Sequence, residues 1–334
     1  MLSFKTNPPL SLYIHLPWCV KKCPYCDFNS HATNKEAFPE AAYIDALISD
    51  LESELPRIWG RPIVSIFIGG GTPSLFSAEA IDRLMVALRA RLTFYHHTEV
   101  TMEANPGSAE AQRFKAYHES GINRLSIGVQ SFDDGKLKLL GRVHNRAEAI
   151  NAIAMAKDAG FDEINIDLMF GLPEQSIDEA MSDLEVAMEQ QPTHLSWYQL
   201  TIEPNTIFYS KPPTLPDDGL LWSMQKQGQA YLSDNGFNQY EVSAYAKVIK
   251  SGACEIGVSH QCQHNLNYWQ FGDYLGIGAG AHGKLTHVAE GKVERYARHR
   301  IPQRYIEKVA QQNAITETRS LDRDELPLEF MMNA

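Results

Sequence analysis

The chain has 334 residues, room for two domains of roughly 150 residues or for one large α/β barrel with additions. Thirty Lys plus Arg against 41 Asp plus Glu give a formal charge of −11, with no basic block to track a phosphate backbone, so nucleic acid is excluded as the primary partner. Apolar residues at 44% and charged residues at 21% exclude disorder, a collagenous repeat and a coiled coil. No stretch approaches the roughly 20 apolar residues of a membrane span, and MLSFKTNPPLSLYIHLPWC lacks the charged start and apolar run of a leader. The expectation is a cytoplasmic protein.

In chain order, β-branched and aromatic runs predict strands at Ser11 to Leu16, Val64 to Ile68, Glu99 to Glu103, Arg124 to Val129, Glu163 to Met169 and His194 to Leu200. Between them, Ile44, Leu47, Ile48, Leu51 and Leu55 mark one helical stripe, and Ile81, Leu84, Met85 and Leu88 another. Further helices are expected at Ala109 to Ser120, Arg146 to Ala159 and Ile177 to Glu189, with Gly121 and Gly160 where C-terminal caps would stop two of them. Six βα units imply a parallel sheet, either open or closed toward a barrel, with ligands at the C-terminal strand ends. After about Pro212 the pattern changes. A helix at Leu220 to Leu232 leads into the strand-like Asn238 to Tyr245, an irregular stretch through His264 to Trp269, and a segment from Pro302 that is helical and then polar. The apolar end LPLEFMMNA suggests that a last domain is incomplete. The expected division is residues 1–235 as barrel, 236–300 as barrel extension and 301–334 as the start of a further domain.

Three of five cysteines fall in Cys19-x3-Cys23-x2-Cys26, directly after the first strand. In a reducing compartment this clustering points to metal or catalysis rather than to disulfides. Three thiolates on one loop can hold three irons of an iron–sulfur cube and leave the fourth open. The competing reading is a structural zinc bound by the three cysteines and His15. Glycines Gly69 to Gly71 follow the second strand, Glu103 and Asn105 end the third, Gln130 ends the fourth and Asp167 lies in the fifth.

YIHLPWCVKKCPYCDF resembles the cluster loop of the radical S-adenosylmethionine (SAM) superfamily. The resemblance continues through GGGTPSLF, MEANP, LSIGVQSFDD, LGRVHN and NIDLMFGLPEQ, in order, over most of residues 11–300. Within the superfamily the chain resembles the oxygen-independent coproporphyrinogen III oxidase family, and in it the haem chaperone branch. That resemblance implies a partial (βα)6 TIM-like barrel of radical SAM type with an additional C-terminal segment. It implies a 4Fe–4S cluster on Cys19, Cys23 and Cys26 whose open iron is chelated by SAM, which one electron cleaves to a 5′-deoxyadenosyl radical. Tyr13 and Tyr25 are then expected beside SAM, Gly70, Gly71 and Thr72 at its methionine end, and Glu103, Gln130, Arg142 and Asp167 at positions binding one or two SAM molecules. Carboxylates suit ribose hydroxyls and an ammonium, and arginine suits a carboxylate.

Two features separate the branches. The oxidase carries a further cysteine two residues after the third, where this chain has Phe28, which stands against oxidase activity. His264-Asn265-Leu266-Asn267-Tyr268-Trp269 resembles the HNxxYW motif of the haem chaperones, with His264 a candidate haem ligand and aromatic faces for a porphyrin. The expected function is haem binding and delivery to acceptor haemoproteins, with an electron donor and transient membrane association as further partners. The alternatives are an oxidase converting coproporphyrinogen III to protoporphyrinogen IX, and a zinc-stabilised binding protein. Gly278-x-Gly280-x-x-Gly283 spells a dinucleotide fingerprint, yet no amphipathic helix follows, so it reads as a turn at the barrel mouth. Cys254, Cys262 and His260 fall in or beside an apparent insertion over Val248 to His260, and His282 reads as structural.

Overall fold

The computed structural model describes residues 6–33, 38–107, 111–249, 260–322 and 324–331. Cys254, most of the 248–260 insertion and the beginning of the helix expected from Ala109 lie outside them. The six expected parallel strands all form: β1 (Leu10–Leu16), β2 (Ile63–Gly70), β3 (Phe94–Ala104), β4 (Arg124–Gln130), β5 (Glu163–Phe170) and β6 (His194–Gln199). They pair in sequence order and in parallel. Helices α1 (Glu40–Glu54), α2 (Ala78–Arg91), α3 (Phe114–Glu119), α4 (Asp134–Leu139), α5 (Arg146–Asp158), α6 (Ile177–Glu189) and α7 (Asp218–Asp234) lie among and after them.

Local chemistry sets these boundaries. Asn145 with Glu148, and Ser176 with Glu179, form reciprocal capping boxes that start α5 and α6. Gly121 and Gly160, at φ of 95° and 94°, sit in the left-handed region just past α3 and α5, where a side chain would be strained. Strand residues such as Ile14, Ile66, Ile68, Met102, Ile127 and Ile166 are fully buried with the apolar helix stripes in one continuous core.

The remaining strands extend the sheet at both edges. The expected single strand over Asn238 to Tyr245 is instead a hairpin, β7 (Phe237–Gln239) and β8 (Ala244–Lys247), broken by a turn that Gln239 Nε2 closes by donating to the Val242 carbonyl, 2.9 Å. A short helix α8 (Gln263–Trp269) follows, then β9 (Asp273–Ile277), which pairs parallel to β1 on the side away from β2. Antiparallel strands β10 (His282–His287) and β11 (Lys292–Arg298), helix α9 (Pro302–Ala310) and strand β12 (Ile315–Leu321) complete it. The sheet order is β12-β11-β10-β9-β1-β2-β3-β4-β5-β6-β8-β7, an open curved sheet rather than a closed ring. The glycine fingerprint is a turn between β9 and β10, with Gly278 and Gly280 at positive φ.

Behind that turn lies a buried polar knot. Asp50 of α1 accepts from Arg298 Nε (2.6 Å) and Tyr305 Oη (2.7 Å), and Arg298 Nη2 lies 3.1 Å from Glu54. Tyr43 Oη donates to the His15 carbonyl and accepts from the Ala279 N–H, both at 2.8 Å. Among the described residues no helix is long and apolar enough to cross a membrane.

Candidate functional site

The cysteine loop leaves β1 through Pro17. Trp18–Cys19 pairs with His31–Ala32, which draws the two ends of the loop together. Gly71 N–H donates to the Leu16 carbonyl and Thr72 N–H to the Trp18 carbonyl, both at 2.8 Å, so the loop is fastened to the end of β2. Each thiol has a polar neighbour: Thr72 Oγ1 donates to Cys19 Sγ at 3.5 Å, Ser30 Oγ lies 3.7 Å from Cys26 Sγ, and Arg142 Nη1 lies 3.7 Å from Cys23 Sγ. Burial pushes the Cys19 and Cys26 thiols up.

His15 does not join them. Its Nε2 faces the Asn29 carbonyl (2.9 Å), which only accepts, so Nε2 carries the proton and Nδ1 accepts from Tyr13 Oη (2.8 Å). Both ring nitrogens are spent, and burial lowers the imidazole to about 4. The Cys3His zinc set therefore loses its fourth ligand. Three free thiols and no committed fourth donor fit a cluster with one open corner.

All the expected site residues except Tyr13 line one cavity of about 390 Å³ under this loop. Its floor is made of C-terminal strand ends. Gly70 N–H donates to Glu103 Oε2 at 2.9 Å. A side chain on Gly70, at φ 118°, would strike the His15 ring at 2.6 Å, and one on Gly71 would strike the Trp18 carbonyl oxygen at 2.6 Å. The protein's own packing thus already requires both glycines. Gln130 sits at φ 71°, a conformation costly for a non-glycine residue, and its Oε1 accepts from Tyr198 Oη at 2.8 Å.

Two carboxyls share the floor. Burial raises Glu103 to about 7, helped by Asp167, against the Gly70 N–H. Burial raises Asp167 to about 6 although Ser126 (3.0 Å) and Asn165 (2.7 Å) donate to it. Opposite them, Arg142 Nη2 donates to Asn105 Oδ1 (2.7 Å) and to the Gly128 carbonyl (2.6 Å). Its Nε is buried and unpartnered among the described residues, a donor left for an anionic ligand.

A second cavity of about 550 Å³ adjoins the first and shares Phe28, Phe67, Gly70, Glu103, His264 and Asn265 with it. Tyr13, Tyr268 and Tyr274 add aromatic wall, so Tyr13 belongs here rather than to the first cavity. His264, on α8, stacks on Phe67 with centroids 4.3 Å apart. Its Nδ1 lies 3.0 Å from Glu99 Oε1. Burial would raise Glu99, but the His264 hydrogen bond and the Arg124 charge outweigh it and hold the carboxyl at about 2. A carboxylate only accepts, so Nδ1 is the donor to Glu99 and Nε2 is the ring nitrogen left without a hydrogen bond among the described residues, the arrangement usual for a metal-ligating histidine.

Residues 13–187 match the radical SAM superfamily model. The chain is 51% identical to "Heme chaperone HemW" of Escherichia coli K12, covering 98% of this chain and 82% of that one. The chain belongs to the radical SAM superfamily, in the HemW family. It is likewise 51% identical to "Heme chaperone HemW" of Haemophilus influenzae, with the same coverage. The solved structure of coproporphyrinogen III oxidase HemN from E. coli superposes with a TM-score of 0.80 over 98% of this chain and 75% of that one, at 24% identity, which establishes the partial-barrel fold.

In this radical SAM fold several site residues escaped the sequence reading. Phe67 and Asn165 are each two residues before an expected position, Gly69 and Asp167, so strand alternation would have placed them on the same inward face. Glu99, Arg124, His194 and Tyr240 carried no local signal. They form buried links behind His264: Arg124 joins Glu99 to Glu163 at 3.0 and 3.1 Å, and His194 joins Asn165 to Tyr240. Cys262 is buried near Tyr240 and pushed up to about 12, chiefly by burial, hence an inert thiol. His282, expected to be structural, is exposed at the rim of the second cavity.

Proposed function

We propose that this chain is a haem chaperone, holding haem in the aromatic cavity and passing it to acceptor haemoproteins, on a scaffold that carries a 4Fe–4S cluster and SAM in the adjoining cavity. The observation that carries the reading is His264. It belongs to the HNxxYW segment, its Nδ1 is committed to Glu99 while Nε2 has no partner among the described residues, and it lines the aromatic cavity. The relatives at 51% identity bear the name haem chaperone.

Cys19, Cys23 and Cys26 would hold the cluster, Arg142 would take the SAM carboxylate, and Glu103 and Asp167 would face its cationic and hydroxyl groups. When bound, the pair supplies one-electron reduction and a cleavable sulfonium, for which an electron donor is the further partner. Phe28 supports the chaperone reading over the oxidase. It stands where the oxidase has a cysteine, is 60% exposed, and contributes an apolar side chain to both cavities.

The test is haem titration on anaerobically reconstituted protein. Wild type should give a defined Soret band, which His264→Ala weakens by about tenfold or more in affinity, the loss of one metal–ligand contact. Unchanged binding in that variant, or SAM-dependent conversion of coproporphyrinogen III, overturns the reading.

The two floor carboxyls also set a pH dependence. Their folded-state values lie above the ordinary ones, so without ligand the protonated forms are favoured and the stability they contribute falls as pH rises through about 6 to 7. A cationic ligand favours the carboxylates, so SAM binding releases protons. Affinity for SAM should rise roughly tenfold between pH 5.5 and 7, about one pK unit of linkage. Calorimetric titration in buffers of different ionisation enthalpy checks it, and Glu103→Gln should flatten the profile.

A further inference from the structure

The aromatic cavity has acidic residues toward one end and a guanidinium at the other. Its inner end meets Glu103, with Asp167 beyond it in the adjoining cavity. Its rim carries Arg300 and His282. The neighbouring arginines are committed, Arg298 to Asp50 and Arg295 to Glu329. The Arg300 guanidinium makes no hydrogen bond or ion pair among the described residues. Its backbone is nevertheless fixed: Asn29 Nδ2 donates to the Arg300 carbonyl and to the Ala279 carbonyl, both at 2.9 Å, tying this corner to the cysteine loop.

We propose that Arg300, with His282 beside it, is a carboxylate-recognition subsite that orients a planar aromatic ligand in this cavity, acid side chains at the rim and ring against Phe67 and His264. This rests on the reading of the cavity as the haem site and adds the ligand's orientation and the class of substituent it must carry. An uncommitted guanidinium offers a planar pair of donors to a carboxylate, whereas among the described lining residues the inner end beside Glu103 offers no lysine or arginine to pair with one. The reverse orientation would bury the acid groups beside Glu103 and leave Arg300 without a partner.

The experiment compares ferric protoporphyrin IX with its dimethyl ester, which has the same ring and metal and no carboxylates, by absorbance titration of the full chain. Wild type should bind the acid more tightly than the ester. Arg300→Ala should lower affinity for the acid about tenfold and leave the ester unchanged, with Arg300→Lys intermediate. Arg300 is exposed, so these variants keep the core intact. His264→Ala should weaken both ligands. If Arg300→Ala leaves the acid unaffected, or weakens both ligands alike, while His264→Ala weakens both, the carboxylate subsite is wrong and the cavity reading stands. If His264→Ala changes neither, the cavity reading itself fails.

Discussion

Replacing Cys23 by alanine is expected to abolish cluster assembly: reconstituted wild type should carry about four irons per chain and Cys23→Ala close to none, with the broad visible absorbance lost in parallel. The expectation follows from how the loop is held. Cys19 is fixed by the Trp18–Cys19 pairing and by Thr72, Cys26 closes a turn onto the Cys23 carbonyl (3.2 Å), and Cys23 faces the Arg142 guanidinium. With both ring nitrogens of His15 spent on Tyr13 and Asn29, that imidazole does not replace a missing thiolate. Cys19→Ala and Cys26→Ala should behave like Cys23→Ala, whereas Cys262→Ala should retain its iron. Iron and sulfide content, measured with haem binding on the same samples, separate cluster loss from unfolding. Retention of iron in Cys23→Ala, or equal loss in Cys262→Ala, would sink the assignment of ligands.

The barrel was legible because its strands are buried on both faces. They read as short β-branched runs such as VSIFI and EINIDLM, and the capped, periodic helices between them leave little choice of topology. The edge extension was not legible. Strand β12 is exposed along most of its length, so it shows no apolar alternation, and β9 sits inside YLGIGAGAH, where glycine signals a turn. In the site, the cysteines announced themselves by spacing, and Glu103 and Asp167 by their places on strands. What sequence could not supply was pairing across distance. His264 reaches Glu99 across 165 positions, and Asn29 reaches Arg300 across 271. Those contacts decide which imidazole nitrogen is free and where an uncommitted guanidinium stands. Tyr13 went to the neighbouring cavity because its hydroxyl is bound to His15 on the side toward Asn29.

Arg298→Met should lower the unfolding free energy by about 3–5 kcal/mol, the usual cost of breaking a buried ion pair from one side. Arg298 and Asp50 both have no solvent-exposed side chain, and the guanidinium is held charged by Asp50 against the penalty of burial. Removing it leaves the Asp50 carboxylate with Tyr305 Oη and a long contact to Gly278 N–H (3.4 Å), too little to offset a desolvated charge. Asp50→Leu combined with Arg298→Met removes both charges, leaves Glu54 paired with Arg57 at 2.6 Å, and should recover most of the loss, since apolar replacement of a buried pair is often neutral. Urea titration of the four-member cycle gives the coupling directly, and an additive double variant would show that the two charges act separately. The effect should also reach the functional site. Asp50 and Tyr43 brace Gly278 and Ala279, the Ala279 carbonyl accepts from Asn29, and Asn29 closes the cysteine loop against His15. Iron retention in Arg298→Met should therefore become temperature-sensitive below the unfolding midpoint, and recover in the double variant.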